Sequence, residues 1–193
     1  MTPLRARSYD TDGQVQTGNR IGNISSFDYP VTTAAWSPDG QSFVVGSQDS
    51  KKPLGLYQLS DQEQIHAWVS DDTNSMRIND CSISADGSRL AAITNDNRVI
   101  VHDFKTRAKI AEWMMEDKLS CVSLSSDGTQ LLVSMNEGRL MLHDAETGEI
   151  VQQYSGLKQS KFVIRSAFGG AGENFVISGS EGWQFVSRML VWC

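Results

Sequence analysis

The chain has 193 residues, of which 39% are hydrophobic and 8% aromatic, and this is enough apolar material for one domain with its own core. Its formal net charge of −6 and its lack of clustered Lys and Arg argue against nucleic-acid binding, which needs several cations at once. No apolar run reaches the ~18 residues of a membrane span, so we expect no membrane association.

Cysteine usage indicates the compartment. The sequence contains three cysteines, an odd number, and none has the spacing of a zinc site or a redox pair. The sequence therefore predicts a reducing environment, the cytoplasm or the nucleus. It predicts neither a metal nor a cofactor. We expect residues 1–30 to form an irregular N-terminal segment.

From residue 31 onward, four segments share one turn. They read WSPDGQSF from Trp36, ISADGSRL from Ile83, LSSDGTQL from Leu124 and FGGAGENF from Phe168. These starting points lie 47, 41 and 44 residues apart, and the four segments align without a gap. The alignment places Phe43, Leu90, Leu131 and Phe175 in one column, and it predicts that the four starting residues are buried.

Each unit reads as four short strands. An Asp-Gly hairpin signal joins the first strand to an apolar second strand, and a polar turn and two more strands follow. Four strands in about 40–47 residues is the spacing of one β-propeller blade. The sequence thus predicts an all-β WD-repeat propeller that is incomplete, with about three and a half four-stranded blades over residues 31–193. The units lie near residues 31–77, 78–118, 119–162 and 163–193.

Residues that recur once per blade are interpreted as architectural. In the third strands, His-Asp pairs stand where WD repeats carry Trp-Asp. The imidazoles could be read as metal ligands or general bases, but neighbouring blades would hold them too far apart to share an ion. We interpret them as structural, hydrogen-bonded to hydroxyl groups within the blade, and the aspartates as turn caps. The structural positions are Asp39, Gly40, Asp86, Gly87, Asp127, Gly128, His102, Asp103, His143 and Asp144.

The loops that connect one blade to the next differ in length and carry most of the candidate binding residues. Variable loops on a fixed scaffold are where binding usually occurs. The alternative is that their charges are simply solvated. The predicted protein-interaction residues are Asp71, Asp72, Arg77, Lys158, Lys161 and Arg165.

The stretch from Tyr154 to Glu181, YSGLKQSKFVIRSAFGGAGENFVISGSE, is the most specific part of the sequence. Its aromatic-x-Gly, FxIxSxFGG and SGSE elements resemble the WD-repeat subunits of the GID/CTLH E3 ubiquitin ligase. Blocks around Trp36 and Leu124 are similar to blades of that family in the same order. The resemblance covers roughly residues 31–181. After Glu181 the chain departs from it by five extra residues, and we expect an incomplete or misspliced gene product.

The resemblance implies a non-catalytic scaffold, a substrate-recruiting or assembly subunit of a ubiquitin ligase that feeds proteasomal degradation. Its partners would be the other ligase subunits and the substrates. Two alternatives stay open: a WD-repeat scaffold of an unrelated complex, and a hydrolase built on a propeller. The hydrolase would need polar side chains that converge on the central channel, and the sequence shows no such set.

Overall fold

A computed structural model of the chain describes residues 27–69, 76–159 and 162–182, and the backbone of 186–189. Within these ranges the regular structure is β-strand, apart from two 3-10 turns at Asn136–Gly138 and Ala171–Glu173. The strands are β1 Val31–Trp36, β2 Ser42–Ser47, β3 Leu54–Gln58, β4 Gln64–Trp68, β5 Ile78–Ile83, β6 Arg89–Thr94, β7 Arg98–Asp103, β8 Lys109–Met114, β9 Leu119–Leu124, β10 Gln130–Met135, β11 Arg139–Asp144, β12 Ile150–Tyr154, β13 Ser166–Gly169, β14 Phe175–Ser178 and β15 Val186–Met189.

The strands form four antiparallel sheets, each in the order of the sequence. β1–β4, β5–β8 and β9–β12 are four-stranded, and β13–β15 form a three-stranded sheet. The first strands β1, β5, β9 and β13 lie beside one another in that order, so the sheets stack as consecutive blades around an axis. The predicted all-β, incomplete WD-repeat propeller is confirmed. We refer to the sheets as the first to the fourth blade.

The turn between the first and second strands explains why the hairpins form. In the third blade, Ser125 Oγ donates to Asp127 Oδ1 at 2.7 Å, and the Thr129 amide donates to the same carboxylate at 3.0 Å. Gly128 then adopts φ +71°, a conformation that L side chains rarely adopt. The same bond joins Ser84 to Asp86 in the second blade at 2.6 Å. This turn is therefore a repeated, self-capped unit.

Each blade buries one face against its neighbour. Both faces of β2, β6 and β10 are covered, and all six residues of β2 are buried. In β14, by contrast, Phe175 and Ile177 are exposed. One core lies between the first and second blades, a second between the second and third, and a third between the third and fourth. The outermost strands are more open, since the first four residues of β12 are exposed. The stabilising surface is therefore the contact between blades, as expected for a repeat protein.

The expected burial of the four starting residues is only partly correct. Leu124 is buried, and Ile83 and Phe168 are partly buried against the preceding blades. Trp36, however, is 43% exposed, and this prediction is wrong. The reason is its place in the first blade, because the equivalent residues pack on a preceding blade. Instead, Trp36 makes an edge contact with Phe43 at 5.5 Å between ring centroids.

The gap-free alignment of the fourth unit is also wrong by one residue. Trp36 pairs with Phe43 and Leu124 with Leu131, each seven residues on, but Phe168 pairs with Val176, eight residues on. The fourth turn, from Gly169 to Asn174, lacks the Ser and Asp of the other turns and contains an extra residue. Since side chains alternate along a strand, this shift reverses the faces of β14. Val176 is buried, and Phe175 is 44% exposed.

Candidate interaction face and the contacts between blades

The blade-connecting loops gather on one face of the molecule. Because the strands run antiparallel, the β2–β3, β6–β7 and β10–β11 turns and the loops between blades emerge at the same end. Of the predicted contact residues there, Arg77, Lys158 and Arg165 are described, and all three are exposed. Asp71, Asp72 and Lys161 lie outside the described residues. We call this end of the molecule the loop face.

The main chain at Lys158 is held in place. Its amide donates to Ser180 Oγ at 3.0 Å, and its carbonyl accepts the Glu181 amide at 2.7 Å. The Phe162 amide donates to Glu181 Oε1 at 3.0 Å. The loop before the fourth blade is thus fastened to the end of that blade, and the Lys158 side chain projects from a fixed backbone.

Arg165 differs from the other predicted contact residues because it contacts a buried acid. Asp80 in β5 is 1% exposed and accepts a bond from Arg165 Nη1 at 3.2 Å on Oδ2. Thr33 Oγ1 donates to Oδ1 at 2.8 Å, and the Val122 amide donates to Oδ2 at 3.2 Å. Asp80 therefore receives hydrogen bonds from the first, third and fourth blades.

Thr33, Asp80 and Cys121 occupy the same position of β1, β5 and β9, as the strand pairings show. Arg165 lies directly before β13, and its bond to Asp80 brings it to the same level around the axis. The sequence predicted no set of converging polar side chains, so the hydrogen-bonded group around Asp80 was missed. The available signal was an Asp in the second repeat and an Arg at the corresponding sequence position of the fourth repeat. In the structure the carboxylate is occupied by donors, so the set functions as a brace between blades.

The aspartates of the turns are stabilised as anions. Asp144 accepts the amides of Thr147 and Glu146 at 2.8 and 2.9 Å, and these bonds lower the pKa of its carboxyl group. Asp103 accepts the amides of Thr106 and Lys105 at 2.7 and 3.0 Å, and its pKa is lowered in the same way. These side chains close the turns between third and fourth strands.

The pKa values of the repeated turn aspartates Asp39 and Asp127 are also lowered. For Asp39 the main cause is the bond from the Ser37 hydroxyl, and for Asp127 it is the bond from the Thr129 amide. In the second blade Asp86 takes the same place, and its pKa is lowered too. Desolvation opposes this last shift, and hydrogen bonds from Ser84 and Ser88 outweigh it.

The two histidines of the third strands lie at blade interfaces. His143 is 1% exposed, and its Nδ1 lies 2.9 Å from the Gly148 carbonyl, so its partner is a backbone oxygen and not a hydroxyl. His102 is 7% exposed, and its Nδ1 has no hydrogen-bond partner among the described residues. Burial, and after it the charge of Lys109, lowers the pKa of His102 to about 4. Burial also lowers the pKa of His143. Both rings are therefore neutral near pH 7.

Thiols and metal ligands give no further site in the described residues. Cys81 and Cys121 are buried free thiols, and desolvation raises their pKa values to about 12 and about 11. A thiol of this kind is unreactive. Among the residues that the structure describes, no group of three or more His, Cys, Asp or Glu side chains is placed to hold a metal ion. None of the helices described is long and apolar enough to cross a membrane.

The stacked four-stranded blades and the loop face define a β-propeller interaction scaffold. Two family models match the sequence: "WD domain, G-beta repeat" over residues 18–51, and "Anaphase-promoting complex subunit 4 WD40 domain" over residues 90–168. Both models describe WD repeats, so the chain is similar to WD-repeat proteins over these residues.

Several curated proteins are similar to the chain. A WD repeat-containing protein WDS homolog of Arabidopsis thaliana is 30% identical over 85% of the chain and 30% of that protein. GID complex subunit 7 of Schizosaccharomyces pombe is 31% identical over 79% of the chain and 30% of that protein. The chain therefore spans less than a third of the length of these relatives.

A solved structure supports the fold. The structure of U3-55K superposes with a TM-score of 0.65 over 85% of this chain and 53% of that chain. Its sequence identity is 12%, so the likeness concerns the fold alone.

Proposed function

We propose that this chain is a substrate-recruiting or assembly subunit of a GID/CTLH-type ubiquitin ligase that serves proteasomal degradation. The observation that carries the proposal is the 31% identity to GID complex subunit 7 over 79% of the chain. The block from Tyr154 to Glu181, with its FxIxSxFGG and SGSE elements, supports it. We further propose that the chain has no catalytic activity and acts in the cytoplasm, and also in the nucleus.

We propose the loop face as the surface that contacts the other subunits or the substrate. Lys158 and Arg165 project there from backbone and ion-pair contacts that already hold them, and preorganised side chains lose less entropy on binding. Arg77 is exposed at the same end, just before β5. Asp71, Asp72 and Lys161 belong to the same loops and complete the proposed contact set.

Affinity purification of the full chain from cells, followed by blotting for ligase subunits, tests the proposal. We expect the ligase subunits to be retained, and the double variant Arg77→Glu with Lys158→Glu to reduce their recovery. Lys105→Glu is the matched control, because Lys105 is an exposed cation in the β7–β8 turn at the opposite end. Absence of ligase subunits from the wild-type sample would contradict the ligase assignment. Equal recovery with the double variant would contradict the proposed surface.

The second candidate is a WD-repeat scaffold of another complex. The match of residues 90–168 to the Anaphase-promoting complex subunit 4 WD40 domain favours it. Identification of the co-purified proteins by mass spectrometry distinguishes the two, because each candidate expects a different set of subunits.

A further inference from the structure

Two apolar side chains are exposed on the loop face where the chain enters the fourth blade. Phe162 is 70% exposed, and Val163 is 66% exposed. In the alignment of the repeats, Phe162 takes the place of Arg77 and Lys118, and both of these residues are exposed. The fold thus leaves this position in solvent in three successive blades. Of the three, only the fourth blade places a large aromatic side chain there.

Val163 departs from the pattern of the preceding blades. Ile78 and Leu119 have the same place in the alignment, and they are 0% and 4% exposed, because each packs in the core against the blade before it. β5 and β9 begin at these two residues, whereas β13 begins only at Ser166. The repeat offers a buried place for Val163, and the fourth blade does not use it.

The next residue along the chain explains the late start of β13. In the second blade, Asn79 Nδ2 donates to the Thr94 carbonyl at 3.3 Å, and in the third, Ser120 Oγ donates to the Ser134 carbonyl at 3.1 Å. These bonds fasten the beginning of each first strand to the second strand. Ile164 has the equivalent place in the fourth blade, and its side chain has no polar atom for such a bond.

The segment from 162 to 165 is nevertheless held in place by other bonds. The Phe162 amide donates to Glu181 Oε1 at 3.0 Å, and the Phe162 carbonyl accepts a bond from Gln159 Nε2 at 3.1 Å. At the other end of the segment, Arg165 is bonded to Asp80. A fixed segment loses little conformational entropy on binding, and aromatic side chains are enriched in protein interfaces. Phe162 therefore has the properties of an anchor for a partner.

Lys158 places a charged group beside the apolar pair. Lys158 and Phe162 are both bonded to Glu181, because the Lys158 carbonyl accepts the Glu181 amide at 2.7 Å. The stem of Lys158 lies along Gly182, with its Cδ 3.1 Å from the place that a Cβ would take there. None of the described carboxylates lies at ion-pair distance from the Lys158 ammonium group. A carboxylate of a partner is the complementary group.

We propose that Phe162 and Val163 bind an apolar side chain of a partner protein, within a segment that also carries a carboxylate for Lys158. This inference rests on the proposed function, since it takes the loop face as the contact surface. It adds the chemistry of the partner segment, and it does not require the partner to be a ligase subunit.

Photo-crosslinking in cells tests the site on the full chain, with p-benzoylphenylalanine in place of Phe162. We expect crosslinks to another protein, which mass spectrometry places on an apolar residue with Asp or Glu within a few positions. The same amino acid in place of Ile150 is the matched control. Ile150 is a 58% exposed apolar residue, and it begins β12 at the opposite end of the molecule.

A synthetic peptide of the crosslinked segment then gives affinities for the full chain by fluorescence anisotropy. Phe162→Ala should weaken binding about tenfold or more, because loss of a central aromatic anchor costs 1.4 kcal/mol or more. Lys158→Ala should weaken it less, as for an exposed ion pair, and Ile150→Ala should leave it within about twofold. The urea midpoint of Phe162→Ala should equal that of the wild type, because the side chain is mostly exposed.

The proposal is overturned if crosslinks at Phe162 are no more frequent than at Ile150, if they join two copies of this chain, or if the crosslinked segment carries no acid. It is equally overturned if Phe162→Ala binds the peptide with unchanged affinity. A crosslinked partner that is not a ligase subunit, bound through an apolar and acidic segment, would support this site and count against the ligase assignment. The two failures are therefore distinguishable.

Discussion

The indole ring of Trp68, at the end of the outermost strand of the first blade, lies 5.7 Å from the imidazole ring of His102 in the second blade. Trp113 and His143 repeat the contact one blade later at 5.4 Å. The two interfaces use their polar atoms differently. Trp68 Nε1 donates to the Arg107 carbonyl at 3.2 Å, whereas at the next interface the equivalent Gly148 carbonyl is bonded to the histidine. The carbonyl at this turn position is therefore paired either with the tryptophan of the preceding blade or with the histidine of its own blade.

The Trp68 contact should contribute strongly to stability. Trp68 is 4% exposed and packs in the core between the first two blades. Trp68→Ala should lower the free energy of unfolding by about 3–5 kcal/mol, because the cavity adds to the lost burial. Urea unfolding followed by circular dichroism measures the change. Met114→Ala, at a 71% exposed position in β8, is the control and should change stability by less than about 0.5 kcal/mol. Similar losses in both variants would contradict the role of Trp68.

His102 should make stability depend on pH. Its pKa is about 4 in the folded chain and 6.5 for the free side chain, so between these values the unfolded chain binds a proton that the buried ring does not. Stability should therefore fall as the pH is lowered from about 6.5 to about 4, by up to on the order of 3 kcal/mol from this group. His102→Tyr, which copies Tyr57 of the first blade, removes this titration.

Thermal melts at a series of pH values measure the effect. We expect the variant to lose less stability than the wild type over this window. Some decline should persist in the variant, because burial also lowers the pKa of His143. Parallel curves for the two proteins would show that His102 is not the titrating group.

The turn aspartates should stabilise the hairpins as anions. Asp127→Ala removes the acceptor for the Thr129 amide and the Ser125 hydroxyl and should cost about 1–2 kcal/mol. Because the pKa of Asp127 is lowered in the folded chain, its contribution is present above the ordinary aspartate value and is lost as the pH falls below it. Chemical denaturation at neutral pH measures the cost. Glu146→Ala, an exposed acid in another turn, should be nearly neutral, and an equal loss there would refute the capping role.

The structural features behind these predictions differ in how well the sequence alone could predict them. The Ser-x-Asp-Gly turns at Asp86 and Asp127 could be predicted because each is local: the hydroxyl, carboxylate and glycine lie within four residues. The Trp68 and His102 contact joins two blades and depends on how the sheets stack, which no single repeat reveals. The Asp80 and Arg165 pair is 85 residues apart in sequence. The stacking of the first strands around the axis brings Asp80 in β5 close to Arg165, which lies directly before β13.

Loss of Asp80 should lower the stability of the fold more than loss of Arg165. Asp80→Asn keeps the size of the side chain but removes the carboxylate that accepts hydrogen bonds from Thr33, Val122 and Arg165. We expect it to lower the free energy of unfolding by about 2–3 kcal/mol. Arg165→Met should cost about 1 kcal/mol or less, because the Arg165 side chain is 67% exposed and solvent screens the pair. A double-mutant cycle measured by urea unfolding separates the two effects. A larger loss from Arg165→Met than from Asp80→Asn would show that the ion pair, and not the hydrogen bonds between blades, is the stabilising element.

The register of the fourth blade is the sharpest test of the fold. In the structure Val176 pairs with Phe168 and is 3% exposed, whereas Phe175 is 44% exposed. Val176→Asp should therefore cost about 3 kcal/mol or more, since it buries an unpaired charge, and Phe175→Asp should cost about 1 kcal/mol or less. The gap-free alignment of the repeats predicts that Phe175→Asp costs more than Val176→Asp, because it places Phe175 in the buried column with Leu131. Unfolding free energies of the two variants, measured side by side, decide between the registers. A greater loss from Phe175→Asp would mean that β14 is shifted by one residue from the arrangement described.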